Sequence, residues 1–239
     1  LFALIVSLSL FEFYDLSPNP MPRSWKWFGM LTGLAIFGVG VLTVLDIDVS
    51  PLMYFIVLPA VMLVLLVFTS VNKPFEAMAW MVLGWFYLIS PWLCMVMMVD
   101  GETYNPWIYF GLFGMLWAAD TGAYTAGKTL GKTKLLPRVS PKKTWEGTIG
   151  GAILCIVVIT LLGNSIPAAR VLHWHHWLMI SSLCAVLGTL GDLLESKLKR
   201  MAGVKDSGQI MPGHGGFLDR FDSLLLATPA VWIYLKIAL

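Results

Sequence analysis

Charge is what this sequence has least of. Only 13% of its 239 residues are Asp, Glu, Lys or Arg, against about 25% in a soluble domain, and 58% are hydrophobic. That scarcity excludes a water-soluble globule, and a net charge of +2 gives no ground for a nucleic-acid partner. Cysteine is also rare. Cys94, Cys155 and Cys184 all fall in apolar stretches without metal-type spacing, which argues against a disulfide framework and against zinc and leaves them a packing role. No cleavable signal, long linker, low-complexity tract or second soluble domain is apparent. The chain opens at Leu1, inside an apolar stretch, so its native start and at least one more helix are expected upstream.

What is abundant is uninterrupted apolar sequence. Trp27 to Leu45, Leu52 to Val71, Ala77 to Val99 and Gly147 to Ala169 carry no charged residue, and each meets the roughly 17 to 25 residues needed to cross a bilayer. Thr103 to Ala119, Trp177 to Gly191 and Ser223 to Leu235 qualify if their polar ends sit at the interface, and Leu1 to Phe11 reads as part of another span. The expected fold is an all-α polytopic membrane protein with about eight transmembrane helices, the first truncated. Residues 1–105 read as scaffold and residues 106–239 as a catalytic half. Gly29 with Gly33, and Gly147 with Gly151, have the four-residue spacing that lets membrane helices approach closely.

Basic residues set the orientation. Lys128, Lys132, Lys134, Arg138, Lys142 and Lys143 fall in one loop, and Lys197, Lys199, Arg200, Lys205 and Arg220 in another, so both are expected on the cytoplasmic side of the inner membrane. Parity then also puts Arg23, Lys26 and Lys73 inside. Asp46 with Asp48, and Asp100 with Glu102, fall outside, and Arg170 is the loop exception.

Acidic residues gather at the inner ends of the spans: Asp120, then Asp192 with Glu195, then Asp219 with Asp222. Partners three apart share a helical face. Carboxylates beside a membrane are costly unless paired or metal-bound, so they point to a magnesium and phosphate site. The structural alternatives are that Asp219 and Asp222 cap the last helix and that Asp192 pairs with a Lys or Arg. The stretch KDSGQIMPGHGGFLDRFD, from Lys205 to Asp222, supports the first reading. Gly213, Gly215 and Gly216 let backbone amides face an anion, Lys205 and Arg220 neutralise phosphate oxygens, and His214 is either a phosphate contact or a turn residue. In SPKKTWEG, from Ser140 to Gly147, Pro141 sets a turn, Lys142 and Lys143 supply cations, and Thr144 and Glu146 supply polar contacts at a helix start; a basic anchor with Trp145 at the interface is the alternative.

GAYTAGKT, from Gly122 to Thr129, spells a Walker A loop. A membrane span precedes it where a buried strand is required, so it reads instead as a flexible glycine and lysine loop near a nucleotide. His173, His175 and His176, with Trp174 and Trp177, fall on the outer face and read as an interfacial belt.

These residues together resemble the bacterial phosphatidate cytidylyltransferase family. Ser196, Lys199, Arg200, Lys205, Asp206, Gly208, Pro212, Gly213, His214, Gly215, Gly216, Asp219, Arg220 and Asp222 fill its signature, with Leu198 as one extra residue. GDLLES, SPKKTWEG and ADTGAYTAGKTLGK are also similar, so the resemblance covers roughly Trp117 to Ser223. Further upstream only an acidic and aromatic EFYDL near Glu12 stands out. The resemblance implies transfer of the cytidylyl group of CTP to phosphatidic acid, with release of pyrophosphate. It implies Mg2+ on Asp192, Asp219 and Asp222, with room for a second cation. It assigns the phosphates to Lys142, Lys143, Lys205, Arg200 and Arg220, with Ser140, Thr144, Lys199, Ser196 and Asp120 in support. A homodimer is a family expectation. The rival readings are a CTP-dependent kinase of an isoprenoid alcohol and a secondary transporter.

Overall fold

The computed structural model describes residues 1–47, 60–69, 71–98, 105–170, 172–208 and 215–239. It is built of helices: α1 (Phe2–Asp15), α2 (Arg23–Val44), α3 (Pro74–Met97), α4 (Pro106–Leu130), α5 (Trp145–Ser165), α6 (Trp174–Met201) and α7 (Asp222–Ala238). The departure from all-helical structure is an antiparallel hairpin of β1 (Lys134–Leu136) and β2 (Ser140–Thr144). Residues 60–67 are also helical.

Four described helices, α2, α3, α5 and α6, are long and apolar enough to cross a bilayer, so the expectation of about eight is not met among the described residues. The physical reasons differ from helix to helix. Helix α1, with 14 residues, is short for the hydrocarbon core, and α7, with 17, is at the lower limit. Helix α4 is long, but its second half carries Asp120, Thr121, Thr125, Lys128 and Thr129. Residues 52–59 of the run from Leu52 lie outside the described residues.

Local sequence explains the helix starts. The Asn105 side chain accepts a hydrogen bond from the Trp107 N–H at 2.8 Å, and Pro106 occupies the first turn, where its missing N–H costs nothing. Thr144 caps α5 in the same way, accepting from the Gly147 N–H at 3.2 Å. Lys73 precedes Pro74 in a left-handed conformation, and α3 loosens into a π turn over Trp85–Ile89 just before Pro91.

The chain forms two compact units. Leu1–Asp100 with Met201–Arg220 is one, and Gly101–Arg200 with Phe221–Leu239 the other. In the first, α1 packs on α2 and α3 through aromatic rings. Phe13 stacks on Trp80 at 4.9 Å, and the indole N–H groups of Trp80 and Trp85 donate to the carbonyls of Phe13 and Gly29. A Cβ at Gly29 would meet the Tyr14 ring at 2.8 Å, and one at Gly33 would meet Leu10 at 2.7 Å.

In the second unit, α4 and α5 touch backbone to backbone. A Cβ on Gly151 would lie 2.4 Å from the Ala119 carbonyl oxygen, and one on Gly147 would lie 2.8 Å from that of Ala123. The two glycine pairs expected to serve close packing do so. Trp177 departs from the expected belt. It is buried against Gly163 and Gly111, and its indole N–H donates to the Ala169 carbonyl at 3.2 Å, while Trp174 stays exposed. His176 is buried and pairs with the Tyr234 hydroxyl at 2.9 Å. All three cysteines are buried and free.

Gly151→Ala is therefore expected to cost about 1 to 3 kcal/mol, because the methyl meets a carbonyl that cannot step aside. Gly38→Ala, where nothing lies within 4 Å of the added carbon, is expected to be neutral. Thermal denaturation of both variants in detergent checks this, and equal midpoints would refute the close crossing.

Candidate active site

A cavity of about 370 Å³ opens in the second unit between α4, the β hairpin, α5 and α6. Its charged lining is Asp120, Lys128, Lys142, Lys143 and Asp192, with Tyr124 beside them. Asp120, Tyr124 and Lys128 are spaced by four and so line one stripe of α4. GAYTAGKT, read as a flexible loop, is instead part of this helix, which runs ten residues beyond Asp120 to Leu130.

The centre of the cavity is an ion pair. The Lys143 ammonium meets the Asp192 carboxylate, both half-buried, while the Ser196 hydroxyl donates to the other Asp192 oxygen at 3.2 Å. Pairing of Asp192 with a lysine was the structural alternative in the sequence, and it is the arrangement observed. Asp120 lies within electrostatic reach of both Asp192 and Lys143. Asp222 opens α7, where burial, reinforced by the Asp192 charge, pushes its carboxyl up to about 6. The close approach depends on glycine, since a Cβ on Gly191 would lie 2.4 Å from the Asp222 carbonyl oxygen.

The segment expected to turn at Pro141 is strand β2, and the hairpin is pinned from three sides. The Glu146 carboxylate accepts from the backbone N–H groups of Lys132 and Thr133 at 3.1 Å. The Trp145 N–H donates to the Thr133 carbonyl at 2.9 Å. Arg200, expected on phosphate, donates from Nε to the Val139 carbonyl at 3.4 Å. Lys199 pairs with fully buried Glu195 at 3.3 Å, so the face shared by Asp192 and Glu195 serves two different partners. Ser140 starts β2, and buried Thr144 ends it as the cap of α5. Lys142 remains exposed.

The rest of the expected site lies in the first unit. Lys205 and Arg220 are exposed there. Asp219 Oδ2 accepts from the Ser207 N–H at 3.0 Å and the Gly216 N–H at 2.9 Å, and lies 3.1 Å from the Ser207 hydroxyl, whose single proton it shares with Glu12. Gly215 sits at φ 83°, a conformation open to glycine, and Gly216 leaves no room for a Cβ beside Ser207. Gly213 and His214 lie outside the described residues. Glu12, marked in the sequence only within EFYDL and given no role there, is buried in the same unit and accepts from the Ser207 hydroxyl and the Phe217 and Leu218 N–H groups at 2.8 to 2.9 Å. The available signal was a carboxylate flanked by Phe11 and Phe13 in a mostly apolar helix, which must find donors if buried.

Among the described residues no group of three His, Cys, Asp or Glu side chains forms a ready metal cage. Magnesium seldom needs one, since it binds through one or two carboxylates together with substrate phosphates and waters. Asp192 and Asp222, close enough for one charge to raise the other's pKa, fit that donor set.

Long apolar helices mark an integral membrane protein, and the cavity is lined by lysines and carboxylates. The chain belongs to the cytidylyltransferase family, whose profile it matches over residues 1–238. It is 46% identical over 123 residues to a phosphatidate cytidylyltransferase of Bacillus subtilis, a match covering 52% of this chain and 45% of that protein. It is 43% identical over 154 residues to one from Haemophilus influenzae, covering 60% and 53%. One from Rickettsia felis is 33% identical over 166 residues, covering 67% and 72%. The chain thus spans about half the length of the first two relatives.

Thr144→Ala removes the cap that joins β2 to α5 and is expected to cost about 1 kcal/mol, with Thr144→Ser restoring most of it. Thermal midpoints in detergent check this, and an unchanged midpoint in Thr144→Ala would show that the cap carries no weight.

Proposed function

We propose that the protein transfers the cytidylyl group of CTP to phosphatidic acid, forming CDP-diacylglycerol and pyrophosphate. The observation that carries the reading is the Lys143–Asp192 pair, set in a cavity with Lys128, Lys142 and Asp120 in a member of this family. Lysines bind a triphosphate, and the carboxylates take a divalent cation.

The reaction asks for alignment more than for proton transfer. A phosphate monoester carries close to two charges near neutral pH, so its oxygen attacks the α-phosphorus without a base. One P–O bond forms, the bond from the α-phosphorus to the bridging oxygen breaks, and that oxygen's electron pair leaves with pyrophosphate. Lys142 and Lys143 neutralise the triphosphate, and Lys143 is already held in place by Asp192. Lys128 extends the positive lining along α4. Asp192 and Asp222 are the residues that would hold magnesium, which when bound would screen the two anions from each other. The lipid tails stay in the bilayer while CTP enters from water, which puts the site at the cytoplasmic face of the inner membrane.

A lipid kinase acting on a neutral alcohol requires a general base, a role open to a carboxylate such as Asp120 in the same lining, so the cavity alone does not separate the two reactions. Product analysis separates the two: the proposed reaction releases pyrophosphate, the kinase CDP. Purified protein with CTP, phosphatidic acid and magnesium is expected to release pyrophosphate, and EDTA to stop it. Asp192→Asn is expected to lower turnover about a thousandfold, or about 4 kcal/mol, in a protein that still inserts and melts normally. Full activity in EDTA would remove the metal, and near-normal Asp192→Asn turnover would remove this cavity from the chemistry.

Orientation has its own check. The natural cysteines are buried. A cysteine introduced at Lys132 is therefore expected to label from the cytoplasmic side and one at Asn164, in the last turn of the 21-residue α5, from the opposite side. Labelling of both from one side would contradict a spanning α5.

A further inference from the structure

Glu12 is a buried carboxylate in a mostly apolar helix, 2% exposed, and both its oxygens are engaged by a segment some 200 residues away in sequence. Oε1 accepts from the Phe217 N–H at 2.9 Å. Oε2 accepts from the Leu218 N–H at 2.8 Å and the Ser207 hydroxyl at 2.9 Å. Ser207 also meets Asp219, whose Oδ2 takes the Ser207 and Gly216 N–H groups. One carboxylate from α1 and one from the loop thus close around a single hydroxyl, tying residues 207 and 208 to residues 216–219. Gly208 and Gly216 are glycine for this purpose, since a Cβ on either would stand 2.3 to 2.7 Å from a Glu12 oxygen.

We infer that Glu12 is a positioning residue: it touches no substrate, but holds the segment bearing Lys205, Asp219 and Arg220 in the geometry the reaction uses. The link to turnover rests on the function proposed above. The anchor itself rests on the hydrogen bonds alone. A bulk stabilising role predicts a different outcome. Three charge-assisted bonds, one from Ser207 and two from the adjacent Phe217 and Leu218 amides, constrain those two stretches locally, whereas α1 is held to α2 and α3 by its aromatic rings and by close contacts at Gly29 and Gly33.

The test compares Glu12→Gln, Glu12→Asp and Ser207→Ala with the unaltered protein in detergent. Two readouts are used. In hydrogen exchange, Glu12→Gln is expected to speed the amides of Ser207, Gly216, Phe217 and Leu218 at least tenfold while α2 and α3 keep their protection. In kinetics, kcat is expected to fall 30-fold or more with KM for phosphatidic acid within threefold, and Ser207→Ala, which removes one bond, to fall less. Unchanged exchange at those four amides overturns the anchor. Faster exchange spread over α2 and α3, or a failure of Glu12→Gln to insert while Ser207→Ala keeps full turnover, makes Glu12 a general fold support and also overturns it. Local loosening with unchanged kcat overturns the positioning role. If the unaltered protein shows no turnover, the proposed function fails, and exchange still decides the anchor.

Discussion

A charge placed in an apolar helix must be met there, because leaving it unpaired costs several kcal/mol. The polar architecture of this protein follows from that constraint. Glu12 in α1 is met by two backbone N–H groups and a hydroxyl. Asp192 in α6 is met by Lys143 and Ser196, and Glu195 one residue before Ser196 is met by Lys199. Each solution recruits a segment outside the helix or one turn along it. The need to neutralise a carboxylate therefore organises the nearby loop or hairpin.

Glycine sets the distances over which this happens. At Gly151 and Gly147 the backbones of α4 and α5 touch, so α4 and the hairpin that precedes α5 share one fixed frame. At Gly191 the start of α7 comes against α6, which lets the Asp192 charge act on Asp222. Alanine at these points would lengthen each approach by about the size of a methyl group. That displacement is large for groups that must meet phosphate oxygens at hydrogen-bond distance.

Composition and run length made the membrane character legible, and residue types made the important positions legible, because lysines, carboxylates and glycines have few uses in an apolar chain. Partners were less legible. The pairing of Lys143 with Asp192 and of Arg200 with Val139 joins residues 49 and 61 positions apart, and spacing rules reach only one or two helical turns. GAYTAGKT looked like a loop because its glycines suggest one. It is helix because Gly122 and Gly127 are needed small, facing Gly151 and Gly147. Glu12 stood out only as part of EFYDL and carried no role there, because its partners Ser207, Phe217 and Leu218 lie some 200 residues away, beyond the reach of any spacing rule.

The Lys143–Asp192 pair bears on how the proposed site meets its substrate. A lysine already engaged by a carboxylate gives up part of that contact when a triphosphate arrives, so the pair weakens ground-state binding. What it supplies is position: a flexible four-carbon side chain is held at one place before the nucleotide comes, and its loss of freedom is already accounted for in folding. In the proposed reaction, as negative charge builds on the leaving pyrophosphate the ammonium would be attracted more strongly, which would lower the barrier more than it tightens binding. Lys142, next to it and exposed, has no such constraint and suits first capture of the anion. On the proposed function, two adjacent lysines on one strand would thus divide the work, because of the two it is Lys143 that faces a fixed carboxylate.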